Sequence, residues 1–174
     1  MPNSPLVLLH FMPWFSMEGP YYRHWQDGLG TRDGLTAVER YATTGRVASH
    51  FTPLYGPYES KDAEVIELQI DLIHQTGIDA IVIDWYGASG LNDYAPLLEA
   101  SDVIIQKAVD KGLLWTVCYE DRTSAGVADK EAHLRTDMEY VRDTYPASSM
   151  LRESADGRSG RPVMILFGPV EIKD

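Results

Sequence analysis

The chain has 174 residues, of which 44% are hydrophobic, and it carries a formal net charge of −11. This length and this apolar content suffice for one domain with a packed core. The acidic balance argues against a nucleic-acid partner, which would require clustered lysine and arginine side chains.

Membrane association and disulfide bonding are also not expected. The sequence contains no apolar run close to the roughly 20 residues that a bilayer span needs. The N-terminus lacks the basic segment that precedes the apolar part of a signal peptide. Cys118 is the single cysteine, so we predict neither a disulfide framework nor a cysteine zinc site and expect a small buried hydrophobe there. The cell compartment stays open.

The first predicted strand contains Leu8 and Leu9 and leads directly into His10 and an aromatic segment. Residues 16–59 follow, a long stretch rich in glycine, proline and tyrosine. An irregular segment of this length in a compact domain is usually functional or disordered, and its aromatic content argues against disorder.

Helices and strands alternate from residue 60 onwards. Ser60 can cap a helix that carries Asp62 and Glu64 in its first turn, and a capping role is also favoured for Asp62 itself. This helix ends at Gly77, and its apolar stripe at helical spacing consists of Val65, Leu68, Leu72, Ile73 and Thr76. The later segments predict strands at 78–84, 113–118 and 163–167, helices that begin near residues 96 and 129, and an exposed loop at 148–161. This alternation is typical of a parallel sheet with right-handed crossovers.

The predicted fold is α/β, a partial (β/α)8 TIM barrel with parallel strands and about the first four βα units. A complete barrel of this type needs eight strands and about 250 residues. An open four-stranded sheet would leave two exposed edges, which folded proteins usually avoid. We therefore expect residues 1–174 to form a single domain that is the N-terminal half of a longer, truncated barrel.

Two carboxylates are predicted to lie at the ends of neighbouring strands. Asp84 ends one strand and Glu120 ends the next, and neighbouring strands lie about 4.8 Å apart. Glycoside hydrolysis uses such a pair, one as acid and one as nucleophile or base, so both are candidate catalytic residues. The alternative is that Asp84 and Asp121 bind backbone or Arg122 and only shape the rim.

Aromatic and imidazole side chains cluster around the same predicted edge. Their rings can stack on sugars and their polar groups can bond hydroxyls, although each ring can equally pack the loops. The spacing of the histidines at 10, 24 and 50 matches no metal motif, so we predict no metal. The candidate substrate-binding residues are His10, Trp14, His24, Trp25, His50, Tyr55, Tyr58, Trp85, Tyr86, Tyr119 and Asp121.

The segments HFMPWF, YRHW, SHFTPLYGPYESKD, IDWYG and CYEDRT, taken together, resemble the N-terminal half of glycoside hydrolase family 71/99-like proteins. These are (β/α)8 barrels related to endo-α-mannosidases and α-1,3-glucanases. The resemblance runs from His10 to about Phe167 and implies an endo-acting hydrolase of α-linked glycans that needs no cofactor.

The same resemblance implies that the two principal catalytic glutamates of the family-99 branch lie late in the barrel. This chain offers no residues onto which they can be carried, and Glu120 matches a strand-end acidic position in the cleft instead. We therefore expect the full-length parent to be a glycosidase with an oligo- or polysaccharide substrate. The fragment alone is expected to be inactive, with the missing C-terminal half as its partner.

Two other functions stay open at the level of sequence. A non-catalytic α/β module could hold a glycan or small ligand with the same aromatic rim. A metal-dependent hydrolase that uses the histidines would lose its activity to chelators.

Overall fold

The computed structural model describes residues 5–17, 23–26, 37–91, 94–168 and 170–171. Within these ranges, four strands form one sheet in the order β1-β2-β3-β4, and each neighbouring pair is parallel. The predicted α/β class with parallel strands is confirmed, and the strand order follows the chain as in the first half of a TIM barrel. The strands are β1 Leu8–Phe11, β2 Ala80–Trp85, β3 Leu114–Glu120 and β4 Ile165–Phe167.

Helices connect successive strands. The described α-helices are α1 Arg23–Gln26, α2 Ala37–Thr44, α3 Ala63–Gln75, α4 Ala95–Asp110 and α5 Lys130–Thr144, with short 3₁₀ turns at Asp121–Ser124 and Ala147–Ser149. Both α1 and α2 lie within the long segment at 16–59 that the sequence left without regular structure. Among the described residues, no helix is long and apolar enough to cross a membrane.

The sheet has one face against the helices and one open face. Strand side chains alternate between the two faces. Ile81 and Ile83 of β2, together with Val117 of β3, are fully buried in the main core, where they pack with Ile70 of α3 and Ile104 of α4. The side chains one position away in each strand lie on the other face, which we call the open face. On this face the side chains of the edge strands, such as Leu8 and Phe167, are exposed, whereas those of the central strands, such as Val82 and Cys118, are buried.

Of the two candidate caps of α3, the structure selects Asp62. Asp62 is its N-cap, and its carboxylate accepts hydrogen bonds from the N–H groups of Glu64 and Val65. Ser60 does not cap the helix; its buried Oγ accepts a hydrogen bond from the N–H of Phe15 at 3.0 Å. Ser60 thus ties the chain before α3 to the segment that follows β1.

The buried stripe of α3 differs from the prediction in part, since Ile73 is buried as expected but Leu68 and Leu72 are not. Ile66, Ile70 and Ile73 face the sheet, whereas Leu68 and Leu72 are 49% and 54% exposed. Both sets have helical spacing, so the choice between them depends on how the helix docks onto the sheet.

The segment at 148–161 is not the wholly exposed loop that its polarity predicted. Leu151 is buried against Ala80 and Leu114 at the beginning of the sheet. An antiparallel bridge between Arg152 and Pro162 closes this segment. Met150 and Gly157 are buried as well, whereas most of the other residues of the segment face solvent.

Candidate functional site

The two predicted carboxylates lie on the open face at the carboxyl ends of their strands. Asp84 is paired in register with Cys118, two positions before Glu120, so all three side chains share one face. Asp84 is 2% exposed, and Glu120 is partly buried. The carboxyl ends of parallel strands are where α/β barrels bind their ligands.

Glu120 has the chemistry of a group that exchanges a proton near neutral pH. Burial raises the pKa of Glu120 to about 7, and the negative charge of Asp84 adds to this shift. The nearby Asp84 thus favours the protonated form of Glu120. A carboxyl group that can donate its proton near neutral pH, placed beside a second carboxyl group, is the combination that glycoside hydrolysis uses.

Tyr86 contributes a donor to the same cluster. Its hydroxyl donates a hydrogen bond to Oδ2 of Asp84 at 2.9 Å. Burial and the nearby Asp84 charge raise the pKa of Tyr86, which keeps the phenol protonated as a donor. Its ring lies 5.1 Å from that of Tyr94, so an aromatic pair borders the carboxylates.

His10 brings an imidazole from β1 to the carboxylate. Its Nε2 lies 3.7 Å from Oδ1 of Asp84, and its side chain is 42% exposed. On the neighbouring strand β3, burial and the nearby carboxylates raise the pKa of the Cys118 thiol to about 11. The thiol is therefore neutral at pH 7 unless a cation replaces its proton.

Trp14 and His24 form a stacked pair above the end of β1. Their ring centroids are 3.9 Å apart with an angle of 18° between the planes. Trp14 also lines a cavity of about 260 Å³ together with residues such as Ser16, Glu59 and Leu97. This partly buried indole is suited to contact a ligand at the rim.

Trp25 and Tyr58 pack a small core of their own. Trp25 is 1% exposed, its indole N–H donates to the carbonyl of Tyr58 at 2.8 Å, and its ring lies 4.3 Å from Phe15. Tyr58 lies 5.5 Å from Phe15, and its burial raises its pKa. Trp25 therefore holds the rim segments together and offers no free face for stacking.

His50 and Tyr55 belong to the segment that precedes α3, and both are exposed. The His50 ring meets Phe51 edge-to-face at 4.6 Å, and Phe51 itself is 80% exposed. The Tyr55 hydroxyl oxygen accepts a hydrogen bond from Gln69 at 2.6 Å. Both side chains are accessible from solvent.

Three predicted substrate-binding residues lie away from the open face. Trp85 is fully buried on the helix side, 6.0 Å from Tyr119, whose hydroxyl donates to Oδ2 of Asp137 at 2.8 Å. Asp121 is buried, and its Oδ2 accepts from the N–H groups of residues 170 and 171. Trp85 lies on the helix side because strand alternation sends Asp84 and Trp85 to opposite faces, and Tyr119 lies there because it pairs with Trp85. Their positions do not support direct contact with substrate.

Sequence reasoning missed Asp137, a buried carboxylate on the helix side of the sheet that holds the loop after β2. This fully buried carboxylate of α5 accepts from the N–H of Ala88 at 2.8 Å and from Tyr119, and His133 Nε2 lies 3.4 Å from it. It thereby ties α5 to the loop that follows Tyr86. An aspartate within a polar helix gives no sequence signal for burial.

Comparison with known proteins reveals similarity to one group of enzymes. A human glycoprotein endo-α-1,2-mannosidase-like protein is 24% identical over 145 residues, which cover 82% of this chain and 29% of that protein. No family model matches the sequence.

Solved structures give the same indication for the fold. The family 99 endo-α-mannosidase of Bacteroides thetaiotaomicron superposes with a TM-score of 0.61 and 18% identity, covering 92% of this chain and 44% of that chain. The complex of that bacterium's enzyme with bis-tris propane gives 0.56 and 16%, covering 92% and 41%. This chain thus spans less than half the length of each of these proteins.

Proposed function

We propose that this family-99-like chain forms the N-terminal part of the substrate cleft of a glycoside hydrolase that acts on α-linked glycans of the mannan or glucan type. The similarity to endo-α-mannosidases supports the enzyme class. The observation that carries the proposal is the placement of Asp84 and Glu120 on one face of the sheet, at the carboxyl ends of neighbouring strands. The pKa of Glu120, raised to about 7 by burial and by Asp84, supports it.

In this proposal the strand-end carboxylates orient substrate or assist proton transfer. Oδ2 of Asp84 accepts a hydrogen bond from Tyr86, which fixes the carboxylate beside Glu120. Glu120 can donate or accept a proton at neutral pH. The principal glutamates expected from the family resemblance lie outside this chain, so these two residues complement them.

The aromatic rim supplies the apolar surface on which a sugar ring stacks. Tyr86, whose ring lies beside that of Tyr94, contacts Asp84 at the end of β2, and Trp14 stacks on His24 in the segment that follows β1. The accessible His50 and Tyr55 provide polar groups for hydroxyls. Trp25, Trp85 and Tyr119 contribute by holding these segments in place.

The remaining βα units are the proposed partner of the open face. The inward-facing side chains of the two edge strands, Leu8, Ile165 and Phe167, are 43%, 39% and 57% exposed. In a complete barrel, such positions pack against the inward side chains of the other strands. This surface is therefore where the second half of the barrel would dock.

Glycan binding by the purified chain tests the proposed cleft. Oligosaccharides from α-mannan or α-glucan should bind, whereas a β-linked glucan should not. We expect Trp14→Ala to weaken binding roughly 2- to 10-fold, in keeping with the value of an aromatic contact. Leu72→Ala, on the exposed side of α3, is the control and should leave the affinity unchanged. If calorimetry detects no binding of α-linked glycans, the proposal of a substrate cleft is wrong.

Turnover tests the division of catalysis. The chain alone should release no reducing ends from these polymers, because it lacks the late glutamates expected from the resemblance. Fusion to the later βα units of a family-99 enzyme should restore hydrolysis, and Glu120→Gln should reduce it in the fusion. Clear turnover by the 174-residue chain itself would contradict this division.

A further inference from the structure

Three side chains with different donor atoms converge on the open face of the sheet. A ring nitrogen of His10, a carboxylate oxygen of Asp84 and the Sγ of Cys118 all lie within 4.8 Å of one another. They come from three successive strands. His10 pairs in register with Val82, two positions before Asp84, and Asp84 pairs with Cys118, so strand alternation places all three on one face.

A second, independent observation concerns one carboxylate oxygen of Asp84. Oδ1 of Asp84 is buried, and among the residues that the structure describes it accepts no hydrogen bond. The nearest cationic candidate, His10 Nε2, lies at 3.7 Å, beyond hydrogen-bonding distance. A buried carboxylate oxygen without a donor is costly, and coordination to a cation would remove that cost.

We propose that His10, Asp84 and Cys118 bind one divalent transition-metal ion, with Zn²⁺ as the best match. Nitrogen, oxygen and sulfur ligands together fit the borderline-soft Zn²⁺, whereas Mg²⁺ and Ca²⁺ prefer oxygen alone. Three protein ligands leave the fourth tetrahedral position to water.

Metal binding requires the three ligand atoms to approach one another only slightly. Zinc bonds of about 2.0–2.3 Å in a tetrahedron place ligand atoms roughly 3.3–3.8 Å apart. The observed separations reach up to 4.8 Å. The 3.7 Å between His10 Nε2 and Oδ1 of Asp84 already lies within that range, so the remaining adjustment concerns the distances to Sγ of Cys118.

Metal binding has a defined proton balance. The neutral thiol of Cys118 forms a metal–sulfur bond as the thiolate, and its proton passes to buffer, so one proton is released for each ion bound. Binding should therefore tighten as pH rises. The sequence predicted no metal because the histidines lack a motif spacing; this site instead uses residues that only the sheet brings together.

Cobalt substitution provides a direct readout, because the chain has a single cysteine. Co²⁺ added to the folded, reduced chain should produce a near-ultraviolet thiolate-to-cobalt charge-transfer band, and Zn²⁺ should displace it at one equivalent. Cys118→Ser should abolish the band. His10→Ala should weaken Zn²⁺ binding by at least roughly 10- to 100-fold, since losing even an outer-shell partner costs that much.

His74→Ala is the matched control, because His74 is an exposed histidine near the end of α3. It should bind zinc like the unchanged chain. Absence of the band in a chain that circular dichroism shows to be folded would overturn the proposal. Equal zinc affinity in His10→Ala or Asp84→Asn, or a preference for Mg²⁺ over Zn²⁺, would also overturn it. These measurements involve no glycan, so their failure is separable from failure of the proposed hydrolase function.

Discussion

Glu120 is the residue whose surroundings depart most clearly from those of an ordinary surface carboxyl. It ends β3 on the open face, partly buried, and shares its environment with Asp84. Its pKa of about 7 compares with 4.5 for an unperturbed glutamate. The folded state therefore holds a proton that the unfolded chain releases between these values.

This difference predicts how stability depends on pH. Because the folded state binds more protons between about pH 4.5 and 7, the free energy of unfolding should fall as pH rises through that window. Glu120→Gln should remove this dependence and raise the melting temperature above pH 7. Thermal melts across pH 4–8 provide the measurement; parallel curves for both proteins would show that Glu120 titrates normally.

Gly87 illustrates a second constraint at the residue scale. It has φ of +79°, and an added Cβ would lie 2.5 Å from Oδ2 of Asp137. Asp137 cannot swing away without losing its bonds to Ala88 and Tyr119. Gly126 has φ of +78° but no atom within 4 Å of the added Cβ.

The two glycines therefore form a matched pair of substitutions. Gly126→Ala should cost about 1–2 kcal/mol from left-handed backbone strain alone. Gly87→Ala should cost roughly 1–3 kcal/mol more, since it adds a steric clash in a packed site. Urea unfolding measures both, and equal losses would mean that Asp137 does not restrict this turn.

At the scale of elements, α5 reaches the site through one buried side chain. Asp137 connects the helix to the β2–α4 loop through Ala88 and to β3 through Tyr119. Thr123 extends the network by donating to the Tyr119 hydroxyl oxygen at 3.0 Å. The helix thus positions the loop that begins just after Asp84 and Tyr86.

Removing this carboxylate should destabilise the fold. Asp137→Ala leaves the Ala88 N–H and the Tyr119 hydroxyl without their acceptor, at a cost of about 2–4 kcal/mol. Glu139→Ala, an exposed position on the same helix, should change stability by less than about 0.5 kcal/mol. Chemical denaturation compares the variants, and a loss for Asp137→Ala as small as that of the control would remove its structural role.

Element positions were largely predictable because they follow from local patterns. The runs around Val82 and Val117 form the predicted strands, and Asp129 caps α5 near its predicted beginning. The predicted stripe of α3 was right at Ile73 but wrong at Leu68 and Leu72, because apolar residues occupy two stripes at helical spacing and docking selected Ile66, Ile70 and Ile73.

At the scale of the whole molecule, the open face is the surface that distinguishes a barrel fragment from a self-sufficient binding module. Apolar side chains of β1 and β4 flank the polar cluster and are exposed. Exposed apolar patches and unpaired strand edges commonly lead to association. A barrel fragment is expected to behave in this way, whereas a self-sufficient binding module should be monodisperse and melt cooperatively.

Substitutions on this face separate the two behaviours. Phe167→Ser combined with Ile165→Ser should reduce binding of the dye ANS and shift size-exclusion profiles toward monomer. Leu72→Ser removes a similarly exposed side chain from α3, at 54% exposure, and should change neither measurement. A monomeric, cooperatively melting chain with little dye binding before any substitution would favour the binding-module alternative.

The sequence by itself determined the alternation of strands and helices, the parallel sheet and the edge at which Asp84 and Glu120 meet. These depend on local hydrophobic patterns and on the shared direction of parallel strands. Only the tertiary structure decided that His10, Asp84 and Cys118 share the open face while Trp85 and Tyr119 pack beneath the helices, and that Asp137 is buried. The physical reason is that strand alternation separates neighbours into two faces, but helix docking decides which face is covered.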